Sequence, residues 1–160
     1  MLSNARLLLP VEADRAEPIH VFLTEVADCG HFWAQISDPA HTHTLSLIHG
    51  QLNDAAGYAR VPLERRDLVT DGLCVAYYTD PDVGRYLYRA RILQLDANER
   101  RALVSFVDFG NRELVPFDEL YQMSDALRLY PFQAVECRVA NVKPSVARNP
   151  AGVWSLSLIH

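Results

Sequence analysis

The sequence lacks three things, and each absence closes off a class of function. It has no surplus of basic charge, since 15 Lys and Arg against 20 Asp and Glu leave a formal net charge of −5. An acidic surface repels phosphate backbones and attracts Arg- or Lys-rich partners, so RNA is not expected as a direct ligand. It has no paired cysteines, because Cys29, Cys74 and Cys137 are widely spaced and show no CxxC pattern. That argues against zinc and for reduced thiols in an intracellular protein. It also has no long hydrophobic run. No stretch reaches the roughly 20 apolar residues that cross a bilayer, and the start, Met1 to Pro10, lacks the apolar length and cleavage pattern of a signal peptide. A soluble protein with no membrane contact is expected.

Catalytic signatures are missing as well. There is no GxSxG, HExxH, P-loop or GxGxxG, and no Cys stands beside a His in a familiar nucleophile arrangement. Neither an enzyme nor a cofactor is expected. His41-x-His43 offers only part of a metal site, with no carboxylate or thiolate at helpful spacing, so no metal is expected either. His31 beside Cys29 reads as an accident of a turn. The mixed charges of Glu64-Arg65-Arg66-Asp67 and Asn98-Glu99-Arg100-Arg101 read as solvated turns.

What the chain does have is apolar content of 49% over 160 residues, enough for one domain, or one domain with an insertion, around a real core. Ile19–Val26 and Phe32–Ile36, joined through Asp28-Cys29-Gly30-His31, predict a β-hairpin. Asp38-Pro39 breaks that pattern. Leu45, Ile48, Leu52 and Ala55 then recur at helical spacing, with Thr42 or Thr44 as the expected cap. Strand texture returns in Leu73–Thr79, Tyr86–Leu95, Arg101–Phe109 and Arg112–Val115, separated by tight turns, which describes a small antiparallel barrel. Phe117–Met123 reads as a turn or short helical segment, Ser124–Leu129 as a helix turn, and Gln133–Val142 as a further strand. The barrel therefore looks inserted into a second β-rich unit. The pentapeptide Leu45–His49 recurs as Leu156–His160, too short for any repeat architecture, and is read as coincidence. The chain stops in mid apolar pattern at Trp154–His160, as a fragment of a longer protein would.

The richest signal is aromatic. Tyr78, Tyr88, Phe106 and Phe109 all lie near strand ends, where side chains reach the opening of a barrel, whereas Tyr77 and Tyr86 read as packing residues. Core filling is the alternative role for all four. In Phe106-Val107-Asp108-Phe109-Gly110-Asn111 the glycine tolerates positive φ, so the backbone can turn and bring both phenylalanines to one point, with Asn111 as a neutral polar contact. Aromatic faces hold a cation at roughly 0.5 to 2 kcal/mol per contact. Asp108, expected on the strand face of Phe106, is a candidate partner for Arg89 in a structural ion pair.

These residues resemble the extended Tudor domain of germline Tudor-domain proteins. The matching blocks are Cys74–Asp80, Leu87–Arg91 and, most specifically, Val104–Glu113. The resemblance implies a mostly β fold in which a small antiparallel Tudor barrel is joined by a helix to a split OB-like half of staphylococcal-nuclease type. On that plan residues 1–17 are a flexible lead-in, 18–62 the first part of the nuclease-like half with the helix, 63–123 the barrel, and 124–160 the return, incomplete at its end. It further implies a reader of symmetric dimethylarginine in Arg-Gly or Arg-Ala tails of Piwi-class proteins. The setting would be the piRNA pathway, in cytoplasmic perinuclear germ granules (nuage). Tyr78, Tyr88, Phe106 and Phe109 match the family's cage aromatics and Asn111 its guanidinium contact, with Asp80 or Asp82 available to the flanking peptide. Leu87 departs from a frequent Trp, and Phe106 and Phe109 from frequent Tyr; the lost hydroxyls leave the ring faces. Three other roles compete. They are a protein–protein scaffold or dimerisation domain with the cage unused, RNA binding through the OB-like half, and a nuclease, for which no suitable carboxylate and arginine cluster is visible.

Overall fold

A computed structural model of the chain describes residues 18–54 and 58–139. The lead-in, Ala55 of the helical pattern, the end of the last predicted strand and the second copy of the pentapeptide lie outside the described residues.

The first hairpin pairs β1 (Val21–Asp28) with β2 (His31–Ile36). The Asp28 carboxylate accepts a 2.7 Å hydrogen bond from the Gly30 N–H and tightens the turn between them. Helix α1 (Pro39–Asn53) follows, and it begins earlier than its apolar spacing suggests. Asp38-Pro39 does not break structure here but starts it. The Asp38 side chain accepts the His41 N–H at 2.8 Å, and proline's fixed φ suits the first helical position, where its missing N–H costs nothing. That backbone bond, with His41's side chain, also holds the Asp38 carboxyl below the usual range.

β3 (Leu73–Asp80), β4 (Gly84–Asp96), β5 (Arg101–Phe106) and β6 (Arg112–Pro116) run antiparallel in sequence order. Phe117–Met123, read as a turn or helical piece, contains a 3-10 turn and then a strand, β7 (Leu120–Gln122), which docks on the free edge of β3. The resulting five-stranded sheet has the order β6-β5-β4-β3-β7, and among the described residues no ladder joins β6 to β7 to close it as a barrel. After the short helix α2 (Asp125–Arg128), β8 (Ala134–Arg138) returns to pair with β2, giving the three-stranded sheet β1-β2-β8. The larger sheet thus sits between two parts of the smaller one in sequence.

Alternation along β3 feeds two cores. Cys74 and Ala76 join Ala90, Ile92, Ala102, Val104, Phe106 and Leu120 on one face. Val75 points the other way, to Ile48 and Leu52 of α1, Leu87, Met123 and Leu127. Burial pushes the Cys74 thiol up to about 12, so it packs as a small hydrophobe. The helix is fastened by Asn53, whose amide gives to the Leu87 carbonyl at 3.0 Å and accepts from the Leu87 N–H at 2.8 Å. β5 pairs with β4 only from Ala90 onward, so Asn53 satisfies the edge of Leu87 that faces away from β3 and has no strand beside it.

Arg89 is the junction of the whole chain. Its Nε and Nη2 grip Asp108 at 2.9 and 2.5 Å, Nη1 gives to the carbonyls of Leu127 and Tyr130, both at 2.7 Å, and Nη2 also reaches Pro131 at 2.9 Å. Asp108 in turn accepts the Gln133 N–H at 3.1 Å. Asp108 does not share a strand face with Phe106, because β5 ends at Phe106 and the chain turns beneath it. Both members of the pair are buried. Replacing Arg89 with Ala strands a buried carboxylate and three carbonyls, and should cost about 3 to 5 kcal/mol. The check is thermal unfolding, with a melting temperature lower by roughly 10 °C or more.

Candidate functional site

Three strands and one turn build an aromatic cavity. The ladders place Ala76 opposite Tyr88 and Ala90 opposite Phe106, so Tyr78, Tyr88 and Phe106 stand on one face as diagonal neighbours. An alanine as the cross-strand partner of Tyr88 and of Phe106 leaves room for the rings to lean together. Tyr78 lies 5.4 Å from Phe106 and 6.2 Å from Tyr88, and Tyr88 lies 5.9 Å from Phe106, all between ring centroids and all tilted or edge-on. Such mutual angles are those aromatic quadrupoles prefer.

The fourth ring comes from the turn after β5. Gly110 and Phe109 both donate to the Phe106 carbonyl, at 2.7 and 3.1 Å, and the Phe106 N–H returns to the Asn111 carbonyl at 3.0 Å. This knot requires glycine twice over. Gly110 has φ +92°, and a Cβ built there would run into the ring of Trp33 on β2. The turn carries Phe109 to 5.3 Å from Tyr88, nearly perpendicular to it. From the other side the first hairpin holds it, because the Thr24 hydroxyl on β1 donates to the Phe109 carbonyl at 2.5 Å and Gln35 Nε2 on β2 donates to the Asp108 carbonyl.

Tyr78, Tyr88, Phe106, Phe109 and Asn111 line a single cavity of about 120 Å³ together with Thr24, Glu25 and Asp80. Phe106, 1% exposed, forms its floor, and the other three rings and Asn111 are half-buried walls. Asp80 lies inside the cavity lining; Asp82 is not in it. Burial raises the Tyr88 phenol, helped by the Asp80 carboxylate and the neighbouring tyrosines Tyr86 and Tyr78, so its hydroxyl stays neutral through the physiological range. Neutral rings beside two carboxylates make a pocket for a cation with apolar surface. Thr24 and Glu25 were invisible as site residues in the sequence, where β1 reads as an ordinary hairpin strand. The Arg89–Asp108 pair lies behind the cavity rather than in it.

Tyr77 and Tyr86 stay outside. Tyr77 meets Tyr121 edge-on at 6.1 Å and carries the Arg85 guanidinium over its face at 4.3 Å, while Tyr86 stands 5.2 Å from His49. His41 is engaged by Asp38, and His43, two residues along α1, does not share its face. Among the described residues no group of three or more His, Cys, Asp or Glu is placed to hold a metal ion. Likewise, no helix among them is long and apolar enough to cross a membrane.

Two joined sheets with an aromatic-lined cavity at their seam define a small β-rich module. The chain belongs to the Tudor domain family, whose sequence model matches residues 14–141. It is 31% identical over 134 residues to "Tudor domain-containing protein 1" of Mus musculus, covering 83% of this chain and 11% of that protein. It is 36% identical over 128 residues to "ATP-dependent RNA helicase TDRD9" of Rattus norvegicus, covering 78% of this chain and 8% of that protein. The chain therefore spans about a tenth of the length of these relatives. In fold it is similar to extended Tudor domain TD3 of mouse TDRD1, solved in complex with a MILI peptide containing dimethylarginine. The TM-score is 0.72 at 22% identity, over 88% of this chain and 66% of that one. The extended Tudor domain of Drosophila melanogaster Papi, in a variant form bound to a Piwi N-terminal peptide, gives a TM-score of 0.69 at 23% identity, over 82% of this chain and 64% of that one.

The site makes Gly110 its most sensitive backbone position. Gly110→Ala should cost about 2 to 6 kcal/mol, the sum of a left-handed alanine and an overpacked Trp33 contact. Denaturant unfolding reads the loss, and loss of near-ultraviolet ellipticity from Trp33 locates it.

Proposed function

We propose that this module reads symmetric dimethylarginine in an Arg-Gly or Arg-Ala tail of a Piwi-class protein, and so acts as a scaffold within the piRNA pathway. Its place on this reading is the cytoplasm, in perinuclear germ granules. The observation that carries the proposal is the meeting of Tyr78, Tyr88, Phe106, Phe109 and Asn111 around one open cavity. The peptides bound to the similar domains of mouse TDRD1 and Papi support it.

The chemistry suits the ligand. Methylation keeps the guanidinium charge, removes N–H donors and adds apolar surface, so an aromatic box gains where a carboxylate fork loses. Two buried methyl groups at roughly 0.8 kcal/mol each favour the modified form by about 1.5 kcal/mol, near tenfold. That is modest, so the rest of the affinity has to come from peptide flanking the arginine along the seam.

Calorimetric titration with matched peptides tests the proposal. The symmetrically dimethylated peptide should bind several-fold more tightly than the plain one, and Tyr88→Ala or Phe109→Ala should each weaken it by about two- to thirtyfold, the worth of one ring contact at roughly 0.5 to 2 kcal/mol. Tyr88→Phe should bind nearly as well as the parent, since the ring face is kept. A partner retained after both alanine substitutions would instead identify a scaffold that does not use the cage.

A further inference from the structure

The rings of the cavity come from the five-stranded sheet and its turn, but two consecutive residues of β1, Thr24 and Glu25, also line it. In a regular strand neighbouring side chains point to opposite faces, so one cavity cannot be lined by both. The register explains the exception. Leu23 pairs with Ala34 and Glu25 with Trp33, so three residues of β1 span two of β2. This is a β-bulge, a feature that bends a strand and re-aims a side chain. Thr24 uses its position to hold the Phe109 carbonyl at 2.5 Å. Glu25 is turned to the cavity wall beside it. Its pairing partner Trp33 is the residue packed against Gly110, so strand, bulge and turn are fixed to one another.

The two carboxylates of the cavity are not equivalent. Asp80 is occupied by its own turn, its Oδ1 accepting the N–H groups of Asp82 and Val83 at 2.8 and 3.0 Å. No described residue is recorded as bonding to or pairing with the carboxylate of Glu25, a half-buried residue. An acceptor on a half-buried residue of a cation pocket is left for the ligand.

We infer that Glu25 is a specificity-determining residue of the pocket: its carboxylate accepts guanidinium N–H groups and sets how strongly methylated and plain arginine are distinguished. The inference rests on the arginine-reading function proposed above. Rings and carboxylate pull in opposite directions. Each methyl group adds apolar surface for the rings and removes one N–H from the carboxylate's reach; plain arginine has five such donors and the symmetric dimethyl form keeps three. Glu25 therefore narrows the preference that the rings alone would give.

The test is calorimetry on the whole chain with plain and symmetrically dimethylated versions of one Arg-Gly peptide, comparing the parent with Glu25→Gln and with Glu99→Gln. Glu99 sits in the turn at the far end of β4 and removes the same charge at a distance. Glu25→Gln should weaken the plain peptide by about tenfold and the dimethylated one by about threefold, so that the preference for methylation rises roughly threefold. Glu99→Gln should leave the preference where it was. The plain peptide's affinity should also fall more steeply with salt for the parent than for Glu25→Gln. Equal weakening of both peptides by Glu25→Gln, or no change, overturns the inference while leaving arginine reading intact. A parent chain that binds neither peptide overturns arginine reading itself, and this inference with it. Glu25→Gln is isosteric at a half-exposed position, and an unchanged melting temperature confirms that binding, not folding, is being read.

Discussion

The structure hangs on one buried guanidinium. Arg89 brings together β4, the turn after β5 and the segment that leads back to the smaller sheet, and does so with every N–H it owns. Desolvating an arginine and an aspartate costs several kcal/mol per ion, and the Coulombic gain offsets this only when geometry is good and the remaining donors are bonded. Both conditions hold here. The bidentate fork to Asp108 meets the first, and the carbonyls of Leu127, Tyr130 and Pro131 meet the second. Such a cluster ties the return segment to one position, because three of its carbonyls and Asp108 must meet one guanidinium. Apolar contact alone, as between α1 and Val75 or Leu87, would tolerate sliding.

Asp108 transmits that order to the cavity. It lies in the same turn that presents Phe109 and Asn111, so the clamp behind the turn and the cavity in front of it share a backbone. The turn is held from three directions. Arg89 anchors its carboxylate, Gln35 and Thr24 from the smaller sheet take two of its carbonyls, and Trp33 fills the space that any side chain at position 110 would need. A ring held this way loses little freedom when a ligand arrives, and ordering cost is what erodes the affinity of small pockets.

Sequence and structure agree where a local rule was decisive and part where the deciding contact was distant. The β3–β4–β5–β6 meander follows from alternating apolar residues and strong turn signals such as Asp80-Pro81 and Gly110-Asn111, all local features. The start of α1 differs from its apolar spacing because Asp-Pro is both a breaker and a good opening for a helix, and only the chain that follows decides between them. β7 is three residues long, with too little pattern to read, and exists because β3 has an edge to fill. β5 stops early because Gly110 turns the chain, which moves Asp108 off the strand face and under Arg89. That Tyr78, Tyr88, Phe106, Phe109 and Asn111 fall near one another is expected from the family resemblance, and they line one cavity; the approach of Thr24 and Glu25 is not legible, because a bulge is a property of pairing between two strands and leaves no mark in either one alone.

A pocket assembled this way selects by difference rather than by strength. On the proposed function, four rings favour a methylated guanidinium by only about tenfold, and any carboxylate in the wall works against that margin. A family that keeps the rings can thus tune its preference without touching them, by changing what the smaller sheet presents at the rim. The bulge in β1 is suited to that role because it lies outside both cores and outside the Arg89 clamp. Substitution at Glu25 need not disturb the fold. The rings, by contrast, are tied into the core through Phe106 and into the clamp through the turn that carries Phe109, so on the proposed function the rings that favour the methylated form are constrained by folding while the carboxylate that narrows their preference is free to vary.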